Sequence, residues 1–170
     1  MKGRSAVRAQ VEAAAVEGIG DIFEKMLKIR PALCRHVPID SRALISAVVA
    51  LASQRIKINV VVHIPRPLAE QVTLRLLGSS CPLDGLSEAD VHDAVGEIAN
   101  MVAGRVKHQL APSAAGLAIA LPSVFAGGSL HLAGGRGAED FEYCLRIEDG
   151  TFWLAGVVRE SAGGLDVPAA

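Results

Sequence analysis

Residues 43–65 read ALISAVVALASQRIKINVVVHIP, and this stretch decides the class of fold. Two runs rich in β-branched residues lie on either side of a short polar turn at Ser53 and Gln54. β-branched side chains favour strands, and the alternation in KINVVV is typical of a strand with one buried face. The stretch therefore predicts two strands joined as a hairpin, the second ended by Pro65 and Pro67.

Helical spacing is predicted on both sides of this hairpin. Residues 5–30 carry apolar side chains at every third or fourth position, which is typical of an amphipathic helix, and Pro31 stops it. ALCRHVP, residues 32–38, then predicts a short extended piece. After the hairpin, LAEQVTLRLLG, residues 68–78, resumes helical spacing and ends at Gly78.

A third and longer helix is predicted from about Glu88 to Leu110. Ser87 is a typical N-cap residue, and Asp90, three positions on, can return the hydrogen bond as an acidic variant of the capping box. Pro112 bounds the other end, because the residue before a proline avoids helical geometry. Between the second and third helices, SSCPLDG has the composition of a loop.

The carboxyl-terminal third predicts strands separated by glycine-rich turns. The predicted strands are GLAIALP (116–122), SLHLAG (129–134), FEYCLRIE (141–148) and TFWLAGVVRE (151–160). Runs of strands beside separate helices favour an α+β fold, with an antiparallel β-sheet packed against long α-helices, over a parallel sheet. We expect one domain over residues 1–170, with a flexible tail from about residue 161.

Composition narrows the classes of partner. Of the 170 residues, 51% are hydrophobic and 21% are charged, so the chain can bury a core. A formal net charge of -1 provides no general attraction for nucleic acid or anionic lipid, and neither is an expected partner. The longest apolar stretch, residues 43–52, is too short to span a bilayer, and no secretory leader is recognisable, so we expect a cytoplasmic protein.

The cysteines and histidines predict neither a disulfide framework nor a metal site. Cys34, Cys81 and Cys144 form no C-x-x-C pair and leave one cysteine over after any single disulfide. We therefore expect three reduced, partly buried thiols. No two of the five histidines have the helical i, i+4 spacing that opens a zinc site.

The predicted third helix has an unusual outward face. On a helical wheel, an apolar stripe faces the core, and it consists of Val91, Val95, Ile98, Val102 and Val106. Glu97 lies opposite that stripe, and four residues share its side: Asp93, Asn100, Gly104 and His108. Asparagine, glycine and aspartate are poor helix formers, so a purely solvated face has little reason to contain them. A solvated face remains the alternative interpretation.

Glu97 and Asn100 suit a shared task on that face. They are three residues apart, which makes them neighbours on a helix. An amide is a poor acid or base, but it both donates and accepts hydrogen bonds, so it can orient a water molecule. Gly96 and Gly104 remove side-chain bulk nearby, which lets another surface approach closely.

DAVGEIANMVAG, residues 93–104, resembles the D-x-x-x-E-x-x-N signature helix of the CheC/CheX/FliY family of chemotaxis phosphatases. With glycines at positions 96 and 104, this helix looks most like the CheX-like branch of the family. The specific match covers those twelve residues, while residues 10–160 resemble the family in their order of elements. The resemblance implies a CheC/CheX-like α+β fold and a phosphatase that acts on the aspartyl phosphate of the receiver protein CheY.

The resemblance also implies roles for residues and partners. Glu97 would contact the receiver by pairing with its active-site lysine, Asn100 would position the attacking water, and Asp93 would support them. Mg²⁺ would come with the phosphorylated CheY-like receiver, so no cofactor of the protein's own is expected. A homodimer formed through sheet edges is expected by resemblance. EGIGDIFEKM, residues 17–26, lacks the asparagine of a second signature, which predicts one site per chain.

Other patterns favour no competing chemistry. AGGSLHLAGGRGAED, residues 126–140, lacks the G-K-[ST] ending of a phosphate-binding loop and is explained by a turn. Arg55, Lys57 and Arg66 fit outward charges around a half-exposed strand, while Arg105 and Lys107 could steer an acidic partner. Two alternatives to the phosphatase remain: a CheX-like binding module without hydrolysis, and a plain structural dimer.

Overall fold

The computed structural model describes residues 5–35, 43–78, 85–112, 114, 116–127, 135 and 137–161. Its α-helices in this part of the chain are α1 (Ala6–Ile22), α2 (Arg66–Leu77) and α3 (Glu88–Leu110), and a π-helical turn, Phe23–Leu27, continues α1. The strands are β1 (Ala32–Leu33), β2 (Leu44–Ala52), β3 (Ile56–Pro65), β4 (Ala118–Ile119), β5 (Ser123–Ala126), β6 (Ala138–Ile147) and β7 (Gly150–Glu160).

The described strands form one antiparallel sheet in the order β1-β6-β7-β3-β2-β4, and β5 also pairs with β2. The predicted hairpin is confirmed: Leu44 lies opposite Pro65 and Ala52 lies opposite Lys57. A second hairpin joins β6 to β7, with Ile147 opposite Gly150. Together with the helices, this sheet confirms the predicted α+β class.

The core lies between one face of the sheet and the helices. Alternate β3 residues, Ile58, Val60 and Val62, are at most 1% exposed and belong to the same cluster as the apolar side of α3. The whole predicted stripe of α3, from Val91 to Val106, is at most 2% exposed. Burial of that stripe holds α3 between the sheet and α1, and fixes which side of the helix is left outward.

The ends of α3 agree with the prediction. Ser87 Oγ accepts from the backbone N–H of Asp90 at 3.1 Å, and the backbone N–H of Ser87 donates to Asp90 Oδ2 at 2.9 Å. These two bonds make the capping box. The hydrogen bonds from Ser87 also hold the pKa of the Asp90 carboxyl below its usual range.

The first helix is shorter than predicted. Its α-helical part ends at Ile22, and the π-helical turn ends at Leu27. Lys28 then takes a left-handed conformation with φ of 59°, and its backbone N–H donates to the carbonyl oxygen of Phe23. The turn therefore reverses the chain three residues before Pro31, which the apolar spacing alone did not indicate.

The prediction of three reduced thiols is wrong for two of them. Cys34 and Cys144 form a disulfide, with their Cα atoms 5.4 Å apart. The two residues meet because β1 pairs with β6, and the backbone N–H of Cys34 donates to the carbonyl oxygen of Cys144 at 2.9 Å. They are 110 positions apart in the chain, so spacing could not reveal the pair. Cys81 lies outside the described residues.

GLAIALP does not form one continuous strand. It contributes the short β4, and β5 begins after Pro122. Between the pairs Leu51–Ile119 and Val48–Ser123, β2 advances three residues while its partner advances four. The extra residue is a β-bulge at the edge of the sheet. The whole of the predicted strand SLHLAG, residues 129–134, lies outside the described residues, as does the predicted tail beyond residue 161.

On the face of the sheet away from the helices, Ser46, His63, Trp153 and Cys144 lie opposite one another on successive strands. Ser46 Oγ and His63 Nδ1 share a hydrogen bond of 2.7 Å. Burial lowers the pKa of His63 because it penalises the charged imidazolium.

Among the helices in the described ranges, none has the length and apolar character needed to cross a membrane.

Candidate functional site

The outward side of α3 is the candidate site. Asp93, Glu97 and His108 are exposed, while Asn100 and Gly104 are partly exposed. Successive residues of this set are three or four positions apart, so they form one line along the helix. The wheel predicted this line, and the burial of the opposite stripe explains why it faces away from the sheet.

Glu97 and Asn100 lie side by side on that line with free side chains. Within the described part of the chain, no hydrogen bond or ion pair engages the side chain of Asp93, Glu97 or Asn100. Asp93 and Glu97 are also four residues apart, and two acids at that spacing cost a helix a few tenths of a kcal/mol. Two carboxylates and an amide thus lie together without contributing a hydrogen bond or ion pair to the described part of the fold.

Gly96 allows a close approach within the chain. A Cβ at this position would lie 3.2 Å from Val124 Cγ2 and 3.6 Å from Pro122 Cγ. The missing side chain therefore lets the bulged edge of the sheet pack directly against α3. The surface that approaches Gly96 is that of the protein itself, immediately beside Glu97.

Gly104 has a different environment. A Cβ built at this position meets nothing within 4 Å, apart from its own helix backbone and chain neighbours. Gly104 lies one turn beyond Asn100 on the same line. Among the described residues, no packing accounts for a glycine here.

Helix α1 borders the other side of α3. Asp21 forms ion pairs with Arg105 and with Lys25, the latter at 3.0 Å. The hydrogen bond from Lys25, together with the charges of Lys25 and Arg105, holds the pKa of Asp21 below its usual range. At Gly18 the helices are close, since a Cβ there would lie 3.1 Å from Arg105 Cβ.

The acids in the π-helical region are likewise occupied. Arg30 Nη2 lies 2.5 Å from Glu24 Oε1, and this pair lowers the pKa of Glu24. Asp21 and Glu24, two of the acids in the segment without the signature asparagine, residues 17–26, are therefore both engaged in ion pairs. In the part of the chain that the structure describes, the free Asp–Glu–Asn set occurs on α3.

The family comparison agrees with this arrangement. A family model described as chemotaxis phosphatase CheX matches residues 45–144, more than half of the chain. The chain belongs to the CheX family. The match includes all of α3, and with it Asp93, Glu97 and Asn100.

Solved structures show the same fold. The CheX protein of Vibrio vulnificus is 20% identical, with 92% of this chain and 100% of that chain covered and a TM-score of 0.75. CheX of Borrelia burgdorferi, solved as a CheX–CheY–BeF3–Mg²⁺ complex, is 18% identical, with 92% and 100% covered and a TM-score of 0.65. FliY of Thermotoga maritima is 13% identical, with 95% and 93% covered and a TM-score of 0.57. No curated protein matches the chain.

Sequence reasoning missed the two walls that flank the site. One wall is the bulged edge at Pro122 and Val124, and the other is the ion pair between Asp21 and Arg105. Gly96 did indicate a close approach, but no local pattern identifies the segment that makes it. Both walls depend on contacts between residues far apart in the chain.

Proposed function

We propose that this CheX-family protein hydrolyses the aspartyl phosphate of a CheY-like response regulator. The observation that carries the proposal is the adjacent pair Glu97 and Asn100 on the exposed line of α3, whose side chains have no partner among the described residues. The family description as a chemotaxis phosphatase supports it, and so does the relative whose structure contains CheY.

In this proposal Glu97 anchors the receiver. Its carboxylate pairs with the lysine beside the receiver's phosphoryl group, and Asp93, four residues earlier, supports the same contact. A helix held by a buried stripe presents both acids in fixed directions, so little order must be gained on binding. Neither carboxylate has a partner among the residues that the structure describes, which suits that role.

Asn100 positions the nucleophile. Its amide accepts from and donates to one water molecule, and holds the water oxygen in line with the bond to be broken. The new bond forms between that oxygen and phosphorus, and the bond from phosphorus to the aspartate oxygen breaks. The carboxylate leaves, and both protons of the water end on inorganic phosphate, which forms as H2PO4⁻. Orientation of this kind can contribute several kcal/mol to lowering the barrier.

We assign Mg²⁺ to the receiver rather than to this chain. The Borrelia burgdorferi structure contains Mg²⁺ together with CheY and BeF3, which supports the assignment. Mg²⁺ neutralises charge on the transferring phosphoryl group and on the leaving carboxylate. Glu97 and Asn100 then need only bind and orient.

Gly96 acts indirectly in this scheme. It lets Pro122 and Val124 pack against the first half of α3 from the side, and so fixes the position of Glu97.

We further propose a cytoplasmic homodimer joined through a sheet edge. Phe125 on the edge strand β5 is 45% exposed, which suits a self-contact.

The test is the decay of phosphorylated receiver from the same organism. Wild-type protein should accelerate the decay, and Asn100→Ala should reduce that acceleration about 100-fold, equivalent to about 2.7 kcal/mol of barrier. Gln71→Ala, which changes an exposed amide on α2, is the matched control and should act as wild type. A binding module without hydrolysis would bind the receiver yet leave its lifetime unchanged, which would overturn the proposal.

A further inference from the structure

We infer that the receiver-docking surface extends past Asn100, over Gly104 to Lys107 and His108, and accepts a carboxylate-bearing loop of the receiver in close contact. This inference rests on the proposed function and adds a second contact region to it. We call this region, Gly104, Lys107 and His108, the distal contact region.

Gly104 provides the first observation. Glycine in the middle of a helix is unfavourable relative to alanine. Gly18 and Gly96 are explained by neighbours within the chain, because a Cβ at either would come within 3.2 Å of a side chain. Gly104 has no such neighbour, although it lies on the exposed line of the site. The space is therefore open to a partner whose main chain must approach α3 closely.

Charge provides the second observation. From Glu88 to Glu97, α3 contains four acids and no lysine or arginine, whereas from Asn100 to Leu110 it contains Arg105 and Lys107 and no acid. Arg105 is held by Asp21. The side chains of Lys107 and His108 are exposed and have no hydrogen bond or ion pair with other described residues.

The helix dipole alone does not explain this pattern. Cations near the last turn stabilise any helix, so the order of charges by itself does not indicate a binding partner. The dipole, however, requires neither an open glycine nor a histidine on the same line as Glu97 and Asn100. The open space, Lys107 and His108 occur together on one side of α3, which favours an external ligand.

The positions define the complementary partner surface. Gly104 lies about 6 Å along the helix from Asn100, and His108 about 12 Å from it. A receiver whose lysine meets Glu97 would therefore place a loop beside Gly104 and His108, about one to two turns beyond Asn100. That loop should carry Asp or Glu opposite Lys107 and His108, and a small or backbone surface opposite Gly104. Because α3 has acids in its first half and Lys107 near its end, the receiver's charges would match it in one docking orientation.

The decisive variant is Gly104→Ala, with Gly20→Ala as the matched control. Gly20 also has no neighbour within 4 Å of a built Cβ, and it is turned about 200° from Gly18, away from α3. Both substitutions should raise the midpoint of thermal unfolding by about 2–4 °C, because alanine favours the helix. Only Gly104→Ala should weaken binding of the CheY-like receiver activated with BeF3⁻ and Mg²⁺, by 10-fold or more in calorimetric titration.

Charge reversal tests the contribution of Lys107 to docking. Lys107→Glu should slow association with the activated receiver at least 5-fold and flatten its dependence on salt, because the substitution removes a complementary charge. Lys57→Glu reverses an exposed charge on β3, on the other face of the sheet, and should leave association unchanged.

Four outcomes would overturn the inference. Gly104→Ala could bind like wild type, or Lys107→Glu could behave like Lys57→Glu, and in either case the proposed function would stand without the distal contact region. Gly104→Ala could instead dissociate a dimer, which would identify the occupant as a second copy of the chain. If wild type binds no activated receiver, both the inference and the proposed function are wrong.

Discussion

Glu97 and Asn100 lie one turn apart on α3, on the side opposite the buried stripe, and neither side chain is engaged elsewhere among the described residues. An exposed helix has many ways to satisfy such groups, for example by pairing a glutamate with a lysine four residues later. Here Glu97 is followed at that distance by Met101, and Asn100 by Gly104. The neighbouring positions thus leave both groups available to another molecule.

Charge reversal at Glu97 should affect recognition rather than folding. Glu97→Arg places a cation where the receiver's lysine is proposed to bind, so the affinity for activated receiver should fall at least 100-fold. The unfolding temperature should change little, since the side chain is exposed. Titration calorimetry and thermal unfolding measure the two effects. Glu160→Arg, an exposed site at the end of β7, is the control, and equal losses for both variants would contradict the prediction.

The contact between Gly96 and Val124 should be detectable because a smaller residue at position 124 compensates for a larger one at position 96. Gly96→Ala forces a Cβ to within 3.2 Å of Val124 Cγ2, and should reduce receiver binding by tilting the first half of α3 or displacing β5. Val124→Ala removes that methyl group, so Gly96→Ala/Val124→Ala should regain binding relative to Gly96→Ala alone. A double-mutant cycle measures the coupling energy. Strict additivity would show that the packing does not support the site.

Acid should destabilise the fold through His63. Burial lowers its folded pKa, while the unfolded chain binds the proton near the usual value of about 6.5. Below that pH the unfolded state binds more protons, so the free energy of unfolding should fall as pH decreases, by up to about 1.4 kcal/mol per pH unit, until the folded pKa is passed.

Urea unfolding between pH 7.5 and 5 measures the pH effect. His63→Gln removes the buried imidazole and should flatten this part of the profile, whereas His108→Asn, at an exposed position, should leave it in place. A profile of the same slope in His63→Gln and wild type would assign the pH dependence to other groups.

Reduction should lower stability through the disulfide between Cys34 and Cys144. Closing a loop of this length restricts the unfolded chain. The entropic model gives about 4–5 kcal/mol as the upper value of the resulting loss in the free energy of unfolding on reduction. Urea unfolding with and without dithiothreitol measures the change, and Cys34→Ser should be insensitive to the reagent. Finding two alkylatable thiols at these positions in the oxidised protein would contradict the prediction.

Local chemistry explains how much of the fold was predictable. The β2–β3 hairpin follows from residues adjacent in sequence, and the bounds of α3 follow from Ser87, Asp90 and its apolar stripe. The disulfide was not predictable, because Cys34 meets Cys144 only after β1 pairs with β6. The bulge before β5 depends on the register with β2, which no single segment contains.

The site divides in the same way. Helical geometry alone brought Asp93, Glu97 and Asn100 to one side, so their shared exposure could be predicted. The functions assigned to them came from a resemblance, and the family match extends over α3. The contrasting surroundings of Gly96 and Gly104 could not be predicted in full, since the helical wheel separates the two glycines but does not show that Pro122 and Val124 pack against Gly96.

The link between Cys34 and Cys144 also makes a covalent ring of the chain from one cysteine to the other. Helix α3 and its exposed line lie inside that ring, as do β2, β3 and α2. A protease that cuts the backbone once within the ring cannot release a fragment while the sulfur–sulfur bond persists. The two ends would stay tethered near each other, and the helix could remain seated on the sheet after a cut that would dismantle an unlinked chain.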